Sequence, residues 1–120
     1  MFDTLKVEDS ADLDWAIFDG DVSWGFAVIN NQFSVSNVQF NSTGSVVNFY
    51  SLRCGEAVLQ GADFAGGVDF GNATVTGDLM AYGCAFGSNG VADFLAMKVK
   101  GSADLSGATF AGPARFMRCV

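Results

Sequence analysis

At 120 residues the chain is long enough for one domain with its own core, and with half its residues hydrophobic and 16% charged it is not a disordered chain. Its net charge of −7 disfavours direct binding to nucleic acid, and the absence of histidine removes His-assisted nucleophiles and His metal sites. No apolar run is long enough to span a bilayer, and no basic stretch followed by an apolar one reads as a signal peptide.

The first segments set a pattern. Leu5-Val7, Ala11-Leu13, Ala16-Phe18 and Val22-Trp24 each place two apolar residues either side of one other residue. At that spacing an extended chain turns both side chains to the same face. The four segments return as Ala27-Ile29, Phe33-Val35, Val38-Phe40 and Val47-Phe49. They return again as Leu52-Cys54, Ala57-Leu59, Ala62-Phe64 and Val68-Phe70, then as Ala73-Val75, Leu79-Ala81, Cys84-Phe86 and Ala92-Phe94. The last full set is Met97-Val99, Ala103-Leu105, Ala108-Phe110 and Ala114-Phe116. Phe2 falls in the fourth row ahead of Trp24, and Cys119 falls in the first. In the row of Ala11-Leu13, the pairs Ala11-Leu13, Ala57-Leu59 and Ala103-Leu105 run small then large. Phe33-Val35 and Leu79-Ala81 reverse the order and roughly keep the summed volume, as a close-packed interior demands.

Period two within each segment, with many Gly and β-branched residues, argues against helix. Regular recurrence of short segments argues against a sandwich, whose strands and hairpin turns vary in length. The expected fold is all-β: a right-handed parallel β-helix, a four-sided solenoid of about five coils of 22–24 residues. Residues 1–120 form one domain without obvious caps. Corners are expected at Gly20, Ser42, Gly66, Ser88 and Gly112, and at Asp9, Asn31, Gly77 and Gly101, where Gly and Asn tolerate positive φ. The longer coils bulge at "NSTGS" (41–45) and "GSNG" (87–90). Eleven of the twelve Phe have an inward slot; Phe26 has none and belongs near a corner. The cysteines, Cys54, Cys84 and Cys119, occupy inward slots and read as reduced core fillers in a cytoplasmic protein.

"ADLDWAIF" (11–18), "AVLQGADF" (57–64) and "ADLSGATF" (103–110) resemble the pentapeptide-repeat family, whose signature is A-(D/N)-L-x-x. The resemblance covers nearly the whole chain, with longer coils than the family's own. It implies the right-handed quadrilateral β-helix, with the large residue and the small one before it inside. It also implies an alternative function, since some members are acidic rods that mimic DNA and bind type II topoisomerases. "VTGDL" (75–79) is similar to a stretch of bactofilins, a polymerising β-helix family.

No cofactor or metal motif is present, and "GGVDFG" (66–71) fits a corner and a strand, not a phosphate loop. Asp69 and Asp93 share one outward position on neighbouring coils, flanked by Asn48 and Arg115. The pair reads as a solvated ladder before it reads as a glycosidase dyad. Phe26, Tyr50, Leu95 and Met117 are placed to form an outer apolar stripe. Charge is lopsided: Asp3, Glu8, Asp9, Asp12, Asp14, Asp19 and Asp21 crowd one end, and Lys98, Lys100, Arg115 and Arg118 the other. Open ends of opposite charge lead to a non-enzymatic structural or interaction solenoid. Its expected partner is a second copy, end to end, or another protein, with neither nucleic acid nor membrane.

Overall fold

The computed structural model describes residues 4–44, 46–87 and 90–116, and every regular element among them is a β-strand. Most strands are two residues long and all pair in parallel. This is the expected β-helix of about five coils, with extents of 33 × 27 × 20 Å. Taking each coil from the corner before its first row, the coils begin at Thr4, Phe26, Ser51, Asn72 and Ala96.

The four rows are four inward columns. Val7, Ile29, Cys54, Val75 and Val99 stack in register down the first. Ala11, Phe33, Ala57, Leu79 and Ala103 stack down the second, so both size-reversed pairs hold their places. The third column carries the aromatic ladder Phe18, Phe40, Phe64, Phe86 and Phe110. Successive ring centroids there are 5.5, 4.8, 5.3 and 4.7 Å apart, with interplanar angles of 9° or less. The fourth continues from Phe49 through Phe70 and Phe94 to Phe116 at 4.7, 5.5 and 4.8 Å. Neighbouring columns meet edge to face, as at Phe86–Phe94 (5.8 Å, 82°). Rings thus stack along the axis and set positive edges against negative faces across it, both favoured arrangements. Each fully buried Phe contributes roughly 1.5–3 kcal/mol through its removal from water.

The columns form three sheets, because the first two share one. Strands Val28–Ser34 and Arg53–Val58 run through the corner between them without a break. That corner has three residues between inward slots in four coils, such as Asn30, Asn31 and Gln32, but two, Gly55 and Glu56, in the third. The register accordingly shifts between Ile29 and Gln32.

The expected corner rows are corrected in one respect. None of Asp9, Gly20, Asn31, Gly66, Gly77, Gly101 or Gly112 has positive φ. The left-handed residues lie at the other two corners: Thr4, Phe26, Ser51, Asn72 and Ala96 at one, and Trp15, Asn37, Gly61, Gly83 and Gly107 at the other. Among the described residues the turns from Trp15 onward close with an N–H donating to the carbonyl of the inward residue three before it, such as Ala62 N to Leu59 O (2.9 Å) and Met97 N to Phe94 O (3.1 Å). Positive φ at the third position of such a turn is the type II geometry. From one left-handed corner to the next the coils measure 22, 25, 21 and 24 residues at the first corner and 22, 24, 22 and 24 at the second, in keeping with the spacing of the sequence. The extra residues sit between the third and fourth columns; the longer stretches there include Ser45, Ser88 and Asn89, which lie outside the described residues.

Candidate functional site

The outward residue of the fourth face forms a ladder, Asn48, Asp69, Asp93 and Arg115, in Cα register. The side chains of its first three members turn the next corner. Asn48 Oδ1 accepts from Tyr50 N (2.9 Å), Asp69 Oδ1 from Gly71 N (2.7 Å) and Asp93 Oδ1 from Leu95 N (2.9 Å). On the second face, Asp12 and Asp104 do the same for Asp14 N and Ser106 N. Asx turns of this kind explain why a short acid recurs just before the large inward residue. Bonds from the Ser106 hydroxyl and amide hold the Asp104 carboxyl below its usual range. Arg115 Nη1 lies 3.6 Å from Asp93 Oδ2, an exposed contact worth little energetically. The Asp69–Asp93 pair therefore has a structural occupation, and no group of three or more Cys, Asp or Glu among the described residues is arranged to hold a metal ion.

The expected apolar stripe is partly assembled. Phe26, 58% exposed at its left-handed corner, meets Tyr50 edge to face at 5.7 Å. The Tyr50 ring lies across Gly71, where an added Cβ would come within 3.1 Å of Cδ2, and its hydroxyl accepts from Asn72 Nδ2 (2.7 Å). The missing side chain of Gly71 leaves the space that the ring fills. Leu95 lies beyond it, half-buried. Met117, Asp3 and Arg118 lie outside the described residues, as do Phe2 and Cys119.

The charged residues stay apart. Glu8, Asp9 and Asp12 lie on the first coil, Lys98, Lys100 and Arg115 on the fifth. Asp9 Oδ1 accepts from Asn31 Nδ2 (2.7 Å), so part of the acidic end is tied to the second coil. At the basic end an apolar recess of about 290 Å³ is lined by Leu79, Phe94, Met97, Val99, Leu105 and Phe116, with Gly101 and Ala103. Phe116 is 44% exposed despite stacking on Phe94. Val7, Leu13 and Phe18 of the first coil are likewise only partly buried.

Comparison with family models, curated proteins and solved structures finds no match to this chain. Cys54 and Cys84 are buried thiols, as expected of core fillers. Burial pushes Cys54 up to about 12 and Cys84 up to about 11, the latter partly opposed by a backbone bond from Ala62. Thiols so far above neutrality are poor nucleophiles. No helix long and apolar enough to cross a membrane occurs among the described residues.

One feature escapes the sequence reading. The outward residues of the first face, Lys6, Val28, Arg53, Thr74 and Lys98, stand in one column. Lys6 and Arg53 were readable as the residues flanked by Leu5-Val7 and Leu52-Cys54, the same slot that Lys98 fills.

Proposed function

We propose that this protein is a non-enzymatic solenoid that acts as a structural or interaction module by associating through its end coils with a second copy, acidic end to basic end. The observation that carries this reading is the apolar recess of the fifth coil, with its half-exposed Phe116, beside Lys98, Lys100 and Arg115. The first coil offers Glu8, Asp9, Asp12, Asp14, Asp19 and Asp21 against the single cation Lys6. Long-range attraction sets the polarity, and burial of the end residues supplies the adhesion.

The register adds a condition. A second first coil laid in phase over the fifth puts Glu8 above Lys100, but also Asp12 above Asp104. Association in this register is therefore weak. Sedimentation at low and high salt tests the reading: larger species that grow with concentration and shrink with salt are expected. A strict monomer at high concentration overturns it. Lys100→Glu turns the attractive pair with Glu8 into a repulsive one and weakens association by about twofold to fivefold. No change or a gain rules out the in-phase geometry.

A further inference from the structure

The first face collects most of the cations among the described residues. Of the five Lys and Arg among the described residues, Lys6, Arg53, Lys98 and Lys100 lie on it or at its edge, and none forms an ion pair with a described carboxylate. Lys6, Arg53 and Lys98 are exposed, point outward and alternate with the uncharged Val28 and Thr74. Coils stack at about 4.8 Å, so these charges repeat along the axis at about 10 Å.

Beside the column runs a polar recess. Its cause is the short corner of the third coil, where Gly55 and Glu56 stand in place of three residues. A Cβ on Gly55 would come within 2.6 Å of the Asn31 carbonyl oxygen, so the backbone there lies against the second coil. A recess of about 540 Å³ is walled by Ser10, Asn31, Gln32 and Glu56. A second, of about 160 Å³, reaches Arg53 and shares Asn30, Gly55 and Thr76 with the first. Amides, hydroxyls and one carboxylate thus line a furrow whose edge is cationic. Three other carboxylates stand at this corner: Asp9 is engaged by Asn31 and Asp78 Oδ1 by Ser102 N (2.8 Å), and Glu8 is exposed at its first-coil end.

We infer that this furrow binds an extended acidic polysaccharide lying along the solenoid axis, with its carboxylates on Lys6, Arg53 and Lys98. In an extended chain of alternating β-linked sugars, every second ring presents its substituents to the same side, at close to the two-coil repeat. A saccharide with one carboxylate per disaccharide therefore meets a cation at every second coil. Its hydroxyls donate to Glu56 and exchange bonds with the side chains of Asn30, Asn31, Gln32 and Thr76. Arg53, the cation that lines the recess, is placed for a two-pronged carboxylate contact.

Calorimetric titration of the full chain with a hexasaccharide of alternating glucuronate and N-acetylglucosamine tests this. Saturable binding is expected, and none for the neutral N-acetylglucosamine hexasaccharide. Arg53→Gln, an exposed change, weakens binding about tenfold. The double variant Arg53→Gln/Thr74→Lys keeps the net charge but moves the cation one coil, and it stays weak. The inference is overturned if the charged hexasaccharide fails to bind at millimolar concentration, or if Arg53→Gln has no effect. Full recovery in the double variant overturns it too, as does equal binding of single-stranded DNA of the same charge. The end-coil reading is tested separately by sedimentation without saccharide.

Discussion

Phe64→Ala tests the claim that the aromatic columns hold the molecule together. Phe64 is fully buried and stacks on two rings, Phe40 at 4.8 Å and Phe86 at 5.3 Å. Truncating a core Phe costs about 3–5 kcal/mol, and each stacked pair accounts for roughly 0.5–1.5 of that. Phe110, in the same column, stacks on Phe86, meets Phe116 edge to face at 5.9 Å and is only partly buried. Its truncation also loses two ring pairs but less buried area, so it costs less than Phe64→Ala. Equilibrium urea unfolding, followed by circular dichroism and by tryptophan fluorescence, measures both. A chain with total stability of about 5–15 kcal/mol is left marginal by Phe64→Ala, so Phe64→Leu, which loses both stacked pairs but keeps much of the apolar volume and is expected to cost about 1–3 kcal/mol, guards against a variant that does not fold. Disagreement between the two probes would mean that the coils unfold separately. Equal costs for Phe64→Ala and Phe110→Ala, or a cost below about 1 kcal/mol for Phe64→Ala, would refute the ladder as the source of stability.

The corners and the thiols make further tests. Gly83 has φ +70° and open space around it, the nearest atom to an added Cβ being 3.9 Å away, so Gly83→Ala isolates the backbone penalty at about 1 kcal/mol. Ala96, at φ 57°, is the converse: Ala96→Gly relieves a left-handed strain and raises the urea midpoint by the equivalent of about 0.5–1 kcal/mol. The thiols predict weakness in alkali. A group whose folded pKa is raised stabilises the native state fully below its ordinary pKa, here 9.0, and that contribution is lost as pH climbs toward about 12 for Cys54 and about 11 for Cys84. Each contributes a slope of about 1.4 kcal/mol per pH unit across its window. Cys54→Ala therefore flattens the fall in melting temperature above pH 9; an unchanged fall would place the alkaline sensitivity elsewhere.

Column membership was legible because burial enforces it. A one-residue slip would turn Phe64 or Phe86 to solvent, so the sequence keeps its spacing even where coil length varies. The left-handed corners were hidden for the opposite reason. A single turn tolerates Trp15, Phe26, Ser51 or Ala96 at modest cost, so composition there is not constrained to glycine. Asn37, Gly61, Gly83 and Gly107 did carry a usable signal, since they recur in step with the Phe ladder. The turn-forming role of Asp69 and Asp93 was also within reach, as the acid two residues before a corner N–H. The furrow was not: it depends on one residue missing from the third coil, which a tally of inward pairs absorbs as a slightly shorter coil.

Short and long coils take turns, and this gives the molecule a natural unit of growth. The phrases at 11, 57 and 103 are 46 residues apart, while the roomy corners at 41–46 and 87–91 fall on the coils between them. A rod extended by copying 46 residues would keep its rings, its wide corners and its cationic studs in phase. One extended by a lone coil would set two wide corners side by side and break the rhythm of charge along its flank. Length in such a molecule is quantised in pairs, and any ligand read out along that flank would be measured in the same increment.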